Sequence, residues 1–493
     1  MSSVKYENGL FIFRRDFRVI DNNGLNMANS ICKNIYPIFI FTPEQVTDAN
    51  KFKSSNAVQF MIESLHDLSE QIKKMGTKDK CKLLCFYGDN ESIISYLISE
   101  LHIQVVCFNA DYTPYAIKRE QDIISLCNSH SHSHSHNHSH NHSHNHSHSD
   151  SDNGVGVDVV YEHDYYLHTP GSVLNGSGNI YQKFTPYYNT AMKIPIKPPA
   201  GLKKICFASA SAYTKLKHTI SLDDAMKRFV GNINDEILVS GGRKNALKQI
   251  QLFKSSIHYS RTRNDLSQST SQLSAYIKFG CISIREVYQI FKTNHDFIRQ
   301  LIWRDFYATI LYAFPHVLGS SMKQNYNKIK WNHNSNWFKK WCDGNTGFPV
   351  VDAGMRQLNQ TGYMHNRARL IVMSFLIKTL CLDWRLGEKY FASRLTDYDP
   401  ASNNGNIQWV MGGGSDSNPF FRIFNMWRQT EEHDANCEYI KKWIPELREV
   451  PVKDILHWNT EWMKYKDAGY PKPMVDYLVQ KEIVLKMYKS ALY

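Results

Sequence analysis

The chain has 493 residues, 42% of them apolar and 13% aromatic, with 28 Tyr, 25 Phe, 10 Trp and a formal net charge of +12. That length predicts two or three domains, and the aromatic load supplies large cores and excludes a mostly disordered chain. A pI near 9.0 favours acidic partners such as nucleic acid. The longest apolar run, Leu370–Leu382, is broken by Lys378 and is too short to span a bilayer. The N-terminus lacks the basic-then-apolar layout of a signal peptide, so a soluble intracellular protein is expected.

Five short apolar runs read as strands: Gly9–Phe13, Tyr36–Phe41, Lys82–Gly88, Ile103–Asn109 and Val157–Glu162. Periodic segments such as Ala57–Ile72 and Glu91–Leu101 lie between them. Strands buried on both faces and alternating with helices predict a doubly wound parallel α/β sheet. No GxGxxG follows the first strand, so a dinucleotide fingerprint is missing. The ten cysteines form no disulfide framework in so long a chain, and Cys81 and Cys85 read as buried reduced thiols rather than zinc ligands.

Ser129–Asp150 alternates Ser or Asn with His and holds ten of the 22 histidines. With nothing apolar to bury, it reads as a solvated, disordered insert, with divalent-metal binding or pH-responsive charge as the functional alternative. No metal geometry is encoded in it. Pro186–Lys204 is proline-rich and basic and reads as a linker. The domain expectation is an α/β unit over 1–190, carrying the insert at 129–153, a linker over 191–220 and a helical unit over 221–493. Helical apolar spacing recurs at Ala246–Phe253, Ser283–Phe291, Phe297–Ala313 and Gly354–Leu380, and every tryptophan falls in this half.

Gly362–Asn425 is the densest polar-aromatic stretch. Within it "DYDPASNNG" (Asp397–Gly405) reads as a loop, serving either turn chemistry with an arginine pair or a hydrogen-bonding cradle for a heterocycle. Upstream, "HYSRTR" (His258–Arg263) and "TSQLSAYIKFG" (Thr270–Gly280) supply hydroxyls and a helix start suited to phosphate. Trp303 beside Arg304 suits stacking plus a phosphate contact, although such a pair also serves as core plus surface charge.

These motifs, with "FRRDFRVIDNNGL" (Phe13–Leu25), "NADYTPYAIKRE" (Asn109–Glu120), "YQKFTPYY" (Tyr181–Tyr188), "FPVVDAGMRQLNQTGYMHNRARL" (Phe348–Leu370), "RIFN" (Arg422–Asn425) and "WIPEL" (Trp443–Leu447), run nearly end to end. They resemble the photolyase/cryptochrome family, and most of all class I cyclobutane pyrimidine dimer photolyases. The resemblance implies an N-terminal α/β antenna domain and an all-α C-terminal domain holding FAD. For the antenna site the resemblance leaves three options, a folate, a deazaflavin or no second chromophore, which "DYTPYAIKRE" does not distinguish. Carried over by motif, Tyr259, Thr270, Ser271, Gln272, Leu273 and Ser274 are expected at the FAD phosphates. Arg369 and Asp397 are expected as an ion pair beside the flavin ring, with Asp399 nearby and Asn403 facing its reactive nitrogen. An anionic reduced flavin needs such positive charge and donors.

The partner implied is UV-damaged DNA, with the lesion flipped into a cavity by a monomeric enzyme; photolyases belong to the base-flipping enzymes. Trp303 and Trp409 match the aromatic walls of that cavity, and Asn366 and Gln300 its polar contacts. Arg263, Arg304, Arg367 and Arg422 match positions at the DNA phosphates or the rim. Three departures stand out. Gln300 replaces a glutamate, Leu370 replaces a methionine, and Ile407 stands where the proximal member of a three-tryptophan electron relay is expected. Trp384 and Trp331 match the middle and distal members. Isoleucine cannot be photo-oxidised, so slow photoreduction of oxidised FAD is expected.

Two alternatives share these motifs. One is a cryptochrome-type photoreceptor without repair activity, although such proteins commonly carry a C-terminal extension and this chain stops soon after "WIPEL". The other is repair of the (6-4) photoproduct, which leans on histidines where Asn366 and Leu370 stand; His365 is adjacent but points elsewhere on a helix.

Overall fold

A computed structural model describes residues 4–132, 156–209, 211, 216–254, 259–417 and 419–493. Most of the His-rich insert, and His258, lie outside the described residues. The first half holds β1 (Tyr6–Ile12), β2 (Cys32–Phe41), β3 (Leu84–Tyr87), β4 (Val105–Ala110) and β5 (Asp158–His163). They form one parallel sheet in the order β3-β2-β1-β4-β5.

Alternate residues of each strand feed two cores, because successive side chains point to opposite faces. Leu10, Ile38, Phe86 and Val106 pack with Ile94 and Leu97 of the Asn90–Leu101 helix. Phe11, Phe39 and Val105 pack with Leu25 of the Asn23–Ile31 helix and with Phe60 and Leu65 of the Ser55–Met75 helix. Two-sided burial is why these strands read as unbroken apolar runs. β5 departs from that expectation. It is one of the two edge strands, and Asp158, Tyr161, Glu162 and His163 are exposed. All ten cysteines are free thiols, and burial pushes Cys85 up to about 12.

The stretch expected as a linker is laid against the sheet. Cys206 O accepts from Ile35 N at 2.9 Å, Ala208 N donates to Ile35 O at 2.8 Å, and Ile205 and Phe207 are buried. Pro186 lies in the first turn of the Phe184–Ala191 helix, a position that tolerates proline.

The second half is helical. The predicted Gly354–Leu380 segment is two helices, Pro349–Thr361 and Asn366–Lys378, parted at Gly362 with φ +65°. A Cβ at Gly362 would sit 2.6 Å from Asn56 Nδ2, so glycine allows both the break and the contact with the first half. "DYDPASNNG" is not a loop beyond Asp399. Asp399 accepts from Ser402 N as the N-cap and Pro400 opens the helix Pro400–Met411, which places Asn403 in its first turn. The two halves meet closely: a Cβ at Gly280 (φ +62°) would fall 2.1 Å from Arg15 O. Around that contact Arg18 and Arg285 converge on buried Asp164, and Phe17 stacks on Phe279 at 6.0 Å.

Candidate active site

A cavity of about 470 Å³ opens in the helical half, within the size range of small-molecule and cofactor sites. Thr270, Ser271, Gln272, Leu273 and Ser274 form one wall, and Tyr259 adds its ring. Gln272 adopts φ +52°, a conformation non-glycine residues rarely hold and one that gathers at ligand sites. Ser274 opens a helix of only five residues and its hydroxyl donates to Asp397 Oδ2 at 2.6 Å.

Arg369 Nη2 donates to both oxygens of Asp397, at 3.1 and 2.9 Å, while its Nε holds Met364 O at 2.9 Å. Burial alone would lower its pKa, but Asp397 and Tyr363 outweigh that and raise it. Asp399 accepts from Arg15 Nη2 at 3.0 Å, and Arg15 also pairs with Asp111 at 3.1 Å. Burial would raise the Asp399 carboxyl; Arg15, Arg304 and the Ser402 donors hold it below its usual range. Asn403 also lines the cavity, and its buried amide nitrogen has no hydrogen-bond partner. A buried donor left unpaired is costly. The donor, the ion pair and the strained Thr270–Ser274 wall fit a planar heterocycle carrying a phosphate chain.

Trp303, Trp409, Asn366, Gln300 and Ile407 line the same cavity. Gln300 Nε2 donates within its own helix, to Asp296 O at 3.2 Å. Arg263 and Arg367 also border it, and Arg367 Nη2 donates to Asn264 Oδ1 at 2.6 Å. Arg304 is anchored inward: its Nη1 donates to Tyr165 O at 2.6 Å and its guanidinium lies 4.0 Å from the Tyr166 ring. Arg304 borders the cavity as well, and its buried Nη2 has no hydrogen-bond partner. Arg422 is exposed and does not line the cavity. Neither do Trp384 and Trp331, which are buried in the helical core.

Sequence reasoning missed Lys278, Arg15 and Phe184. Lys278 lines the cavity with its ammonium 4.1 Å from the Phe279 ring; burial and Arg15 lower it to about 8, against the pull of Asp399 and Asp397. A lysine in "SAYIKFG" that interrupts an apolar run was the available signal. Arg15 and Phe184 act from the other half of the chain, which spacing cannot reveal. Among the described residues, no group of three His, Cys, Asp or Glu could hold a metal ion, and no helix is long and apolar enough to cross a membrane.

Residues 10–203 match the family described as DNA photolyase, and residues 297–490 the FAD binding domain of DNA photolyase. The deoxyribodipyrimidine photo-lyase of Halobacterium salinarum is 31% identical over 98% of this chain and 99% of its own. That of Synechococcus is 30% identical over 98% and 96%. Among solved structures, the Sulfolobus tokodaii archaeal photolyase, described with two FAD molecules, aligns with a TM-score of 0.83 at 35% identity, over 98% of this chain and 100% of its own. The Synechocystis cryptochrome aligns at 0.83 and 25%, over 99% and 100%. The helical half is therefore an FAD-binding domain, and the chain belongs to the DNA photolyase family.

Proposed function

We propose that this protein splits cyclobutane pyrimidine dimers in UV-damaged DNA, using light and reduced FAD. The observation that carries the reading is the single cavity in which the Asn403 amide and the Arg369–Asp397 pair share walls with Trp303, Trp409, Asn366 and Gln300. Bound FAD would supply the light-excited electron donor. Tyr259 and Thr270–Ser274 would hold its phosphates through hydroxyl and backbone donors. Asn403 would give its unpaired N–H to the ring. Arg369 and Lys278 both line this wall, and their positive charge would favour a negatively charged ring.

Trp303 and Trp409 would flank the flipped bases, each stacking contact worth ~1–3 kcal/mol. The amides of Asn366 and Gln300 can donate to base carbonyls, and Gln300 does so without the charge a carboxylate would bring. Arg263 and Arg367 would neutralise phosphates and fix register. The test is illumination of a dimer-containing oligonucleotide with pre-reduced holoprotein. Recovery of thymine absorbance supports the reading, and no repair despite bound, reduced FAD sinks it.

Gln300, Leu370 and Ile407 together favour one second reading, a cryptochrome-type photoreceptor, because two of them change the expected lesion contacts and the third removes the expected proximal relay residue. The same repair assay separates the two. His365 speaks against (6-4) chemistry. Its Nδ1 caps Arg367 N at 3.1 Å, and burial with Arg367 and Arg369 lowers it to about 4, so it cannot serve as a proton donor near neutrality.

A further inference from the structure

The motif "YQKFTPYY" takes no part in the site as described, yet its phenylalanine stands directly behind a wall of the cavity. Phe184 opens the Phe184–Ala191 helix, is 1% exposed and does not itself line the cavity. Its ring lies 3.6 Å from that of Trp303 with only 4° between the planes. Arg299, one helical turn before Trp303, sits 4.9 Å from the Phe184 ring and 4.9 Å from the Tyr188 ring. Phe306 meets both Phe184 and Trp303 edge-on, at 5.8 and 5.6 Å, and Tyr307 packs against Trp303 at 5.4 Å. Three rings, Phe184, Phe306 and Tyr307, therefore hold an indole that also lines the cavity.

We infer that Phe184 is a specificity-determining positioning residue. It presses Trp303 into the orientation in which the indole can stack on a flipped dimer, so discrimination between damaged and plain DNA depends on a side chain that touches neither DNA nor FAD. The inference rests on the proposed reading of Trp303 as a lesion wall. Its physical basis is preorganisation. A stacked ring holds the indole in one orientation before substrate arrives, and a side chain free to change rotamer must be ordered at the moment of binding. An aliphatic side chain of similar size fills the space but presents no flat face. Replacing the ring should therefore loosen Trp303 without opening a large void.

The test uses the FAD-loaded full chain in the dark, with matched single strands that carry or lack one thymine dimer. Phe184→Met should reduce the preference for the dimer strand about three- to tenfold, the range expected for losing one aromatic pair. Binding to the plain strand and its salt dependence should not move, because the phosphate contacts are untouched. In a Trp303→Ala background the same substitution should change the preference by less than twofold, since the residue it positions is gone. Phe184→Leu, read the same way with a thermal melt alongside, guards against one variant that fails to fold.

An unchanged preference in folded Phe184→Met and Phe184→Leu overturns the inference. So does an equal loss with and without Trp303, which would make Phe184 ordinary core. A wild type that does not prefer the dimer strand sinks the proposed function, and this inference with it.

Discussion

Arg15 offers the sharpest test of how the site is held. It reaches from the first half to bridge Asp111 at 3.1 Å and Asp399 at 3.0 Å, and the three side chains are only 16%, 7% and 9% exposed. Asp399 in turn caps the helix that carries Asn403. Arg15→Met takes the paired cation from two buried carboxylates, leaving Asp399 only Arg304 and the Ser402 donors, and breaking a buried pair from one side costs about 3–5 kcal/mol, a large share of a typical 5–15 kcal/mol stability. Asp399→Asn keeps the cap, since asparagine caps as well as aspartate, and leaves Arg15 its Asp111 partner; about 1–2 kcal/mol is expected. Asp399→Ala also removes the cap, adding about 1 kcal/mol.

Urea unfolding at pH 7.5 should rank the loss as Arg15→Met, then Asp399→Ala, then Asp399→Asn. The sign with pH follows from the depressed Asp399 pKa: its stabilisation is present above the ordinary carboxylate value and is lost as pH falls through the folded value. Without Arg15 that loss should begin at higher pH, so the deficit of Arg15→Met in acid should change shape as well as size. An Arg15→Met protein within about 1 kcal/mol of wild type, or a reversed order of the two Asp399 variants, would refute the argument.

Four further outcomes are expected. Ile407→Trp should speed light-driven reduction of oxidised FAD, followed by visible absorption; a wild type that reduces as fast must use another relay. Trp303→Ala should lower preference for the dimer strand, whereas Arg263→Gln should weaken binding to damaged and plain strands alike and flatten the salt dependence, both read by titration at several salt concentrations. Lys378, buried and donating to Arg422 O at 3.1 Å, is lowered by burial and by Arg422 to about 7. The unfolded chain then binds the extra proton between pH 7 and about 10.5, so this group makes stability rise with pH, by on the order of 5 kcal/mol in full; Lys378→Met should flatten that rise relative to wild type. His365, lowered to about 4, makes stability fall as pH drops from about 6.5 toward 4, and His365→Asn should keep the cap and remove that acid sensitivity in thermal melts.

Much of the scaffold was legible because its causes are local. The five strands announce themselves as apolar runs between helical periods, and each lies within a few residues of its expected place. Where reading failed, a specific competing effect won. "DYDPASNNG" looks like a loop because Asn and Gly are poor helix formers, but Asp399 and Pro400 form a strong start signal. The same helix satisfies its own polar groups through tertiary contacts: Asn404 and Gln408 both donate to Val317 O at 2.9 Å, across about ninety residues. The break at Gly362 was hidden by apolar spacing that happens to stay in phase across it. The edge position of β5 depends on strand order, which no local pattern encodes.

The cavity depends on both halves of the chain in a way that composition suggested and only packing explains. Three wall elements have a support from the first half: Arg15 behind Asp399, Phe184 behind Trp303, and the Arg15–Asp16 backbone against Gly280, just past Lys278. None of these supports contributes chemistry, and each fixes a group that would. The basic charge divides the same way. Arg15, Arg18 and Arg285 are spent on buried carboxylates between the halves, while Arg263 and Arg367 border the cavity. The number of basic residues therefore overstates the positive surface offered to DNA, whereas the net charge, in which these ion pairs already cancel, does not. Interdomain arginines and cavity arginines should differ in their response to salt: the first set is shielded by burial and should respond little, and the second would be screened together with any phosphates it meets.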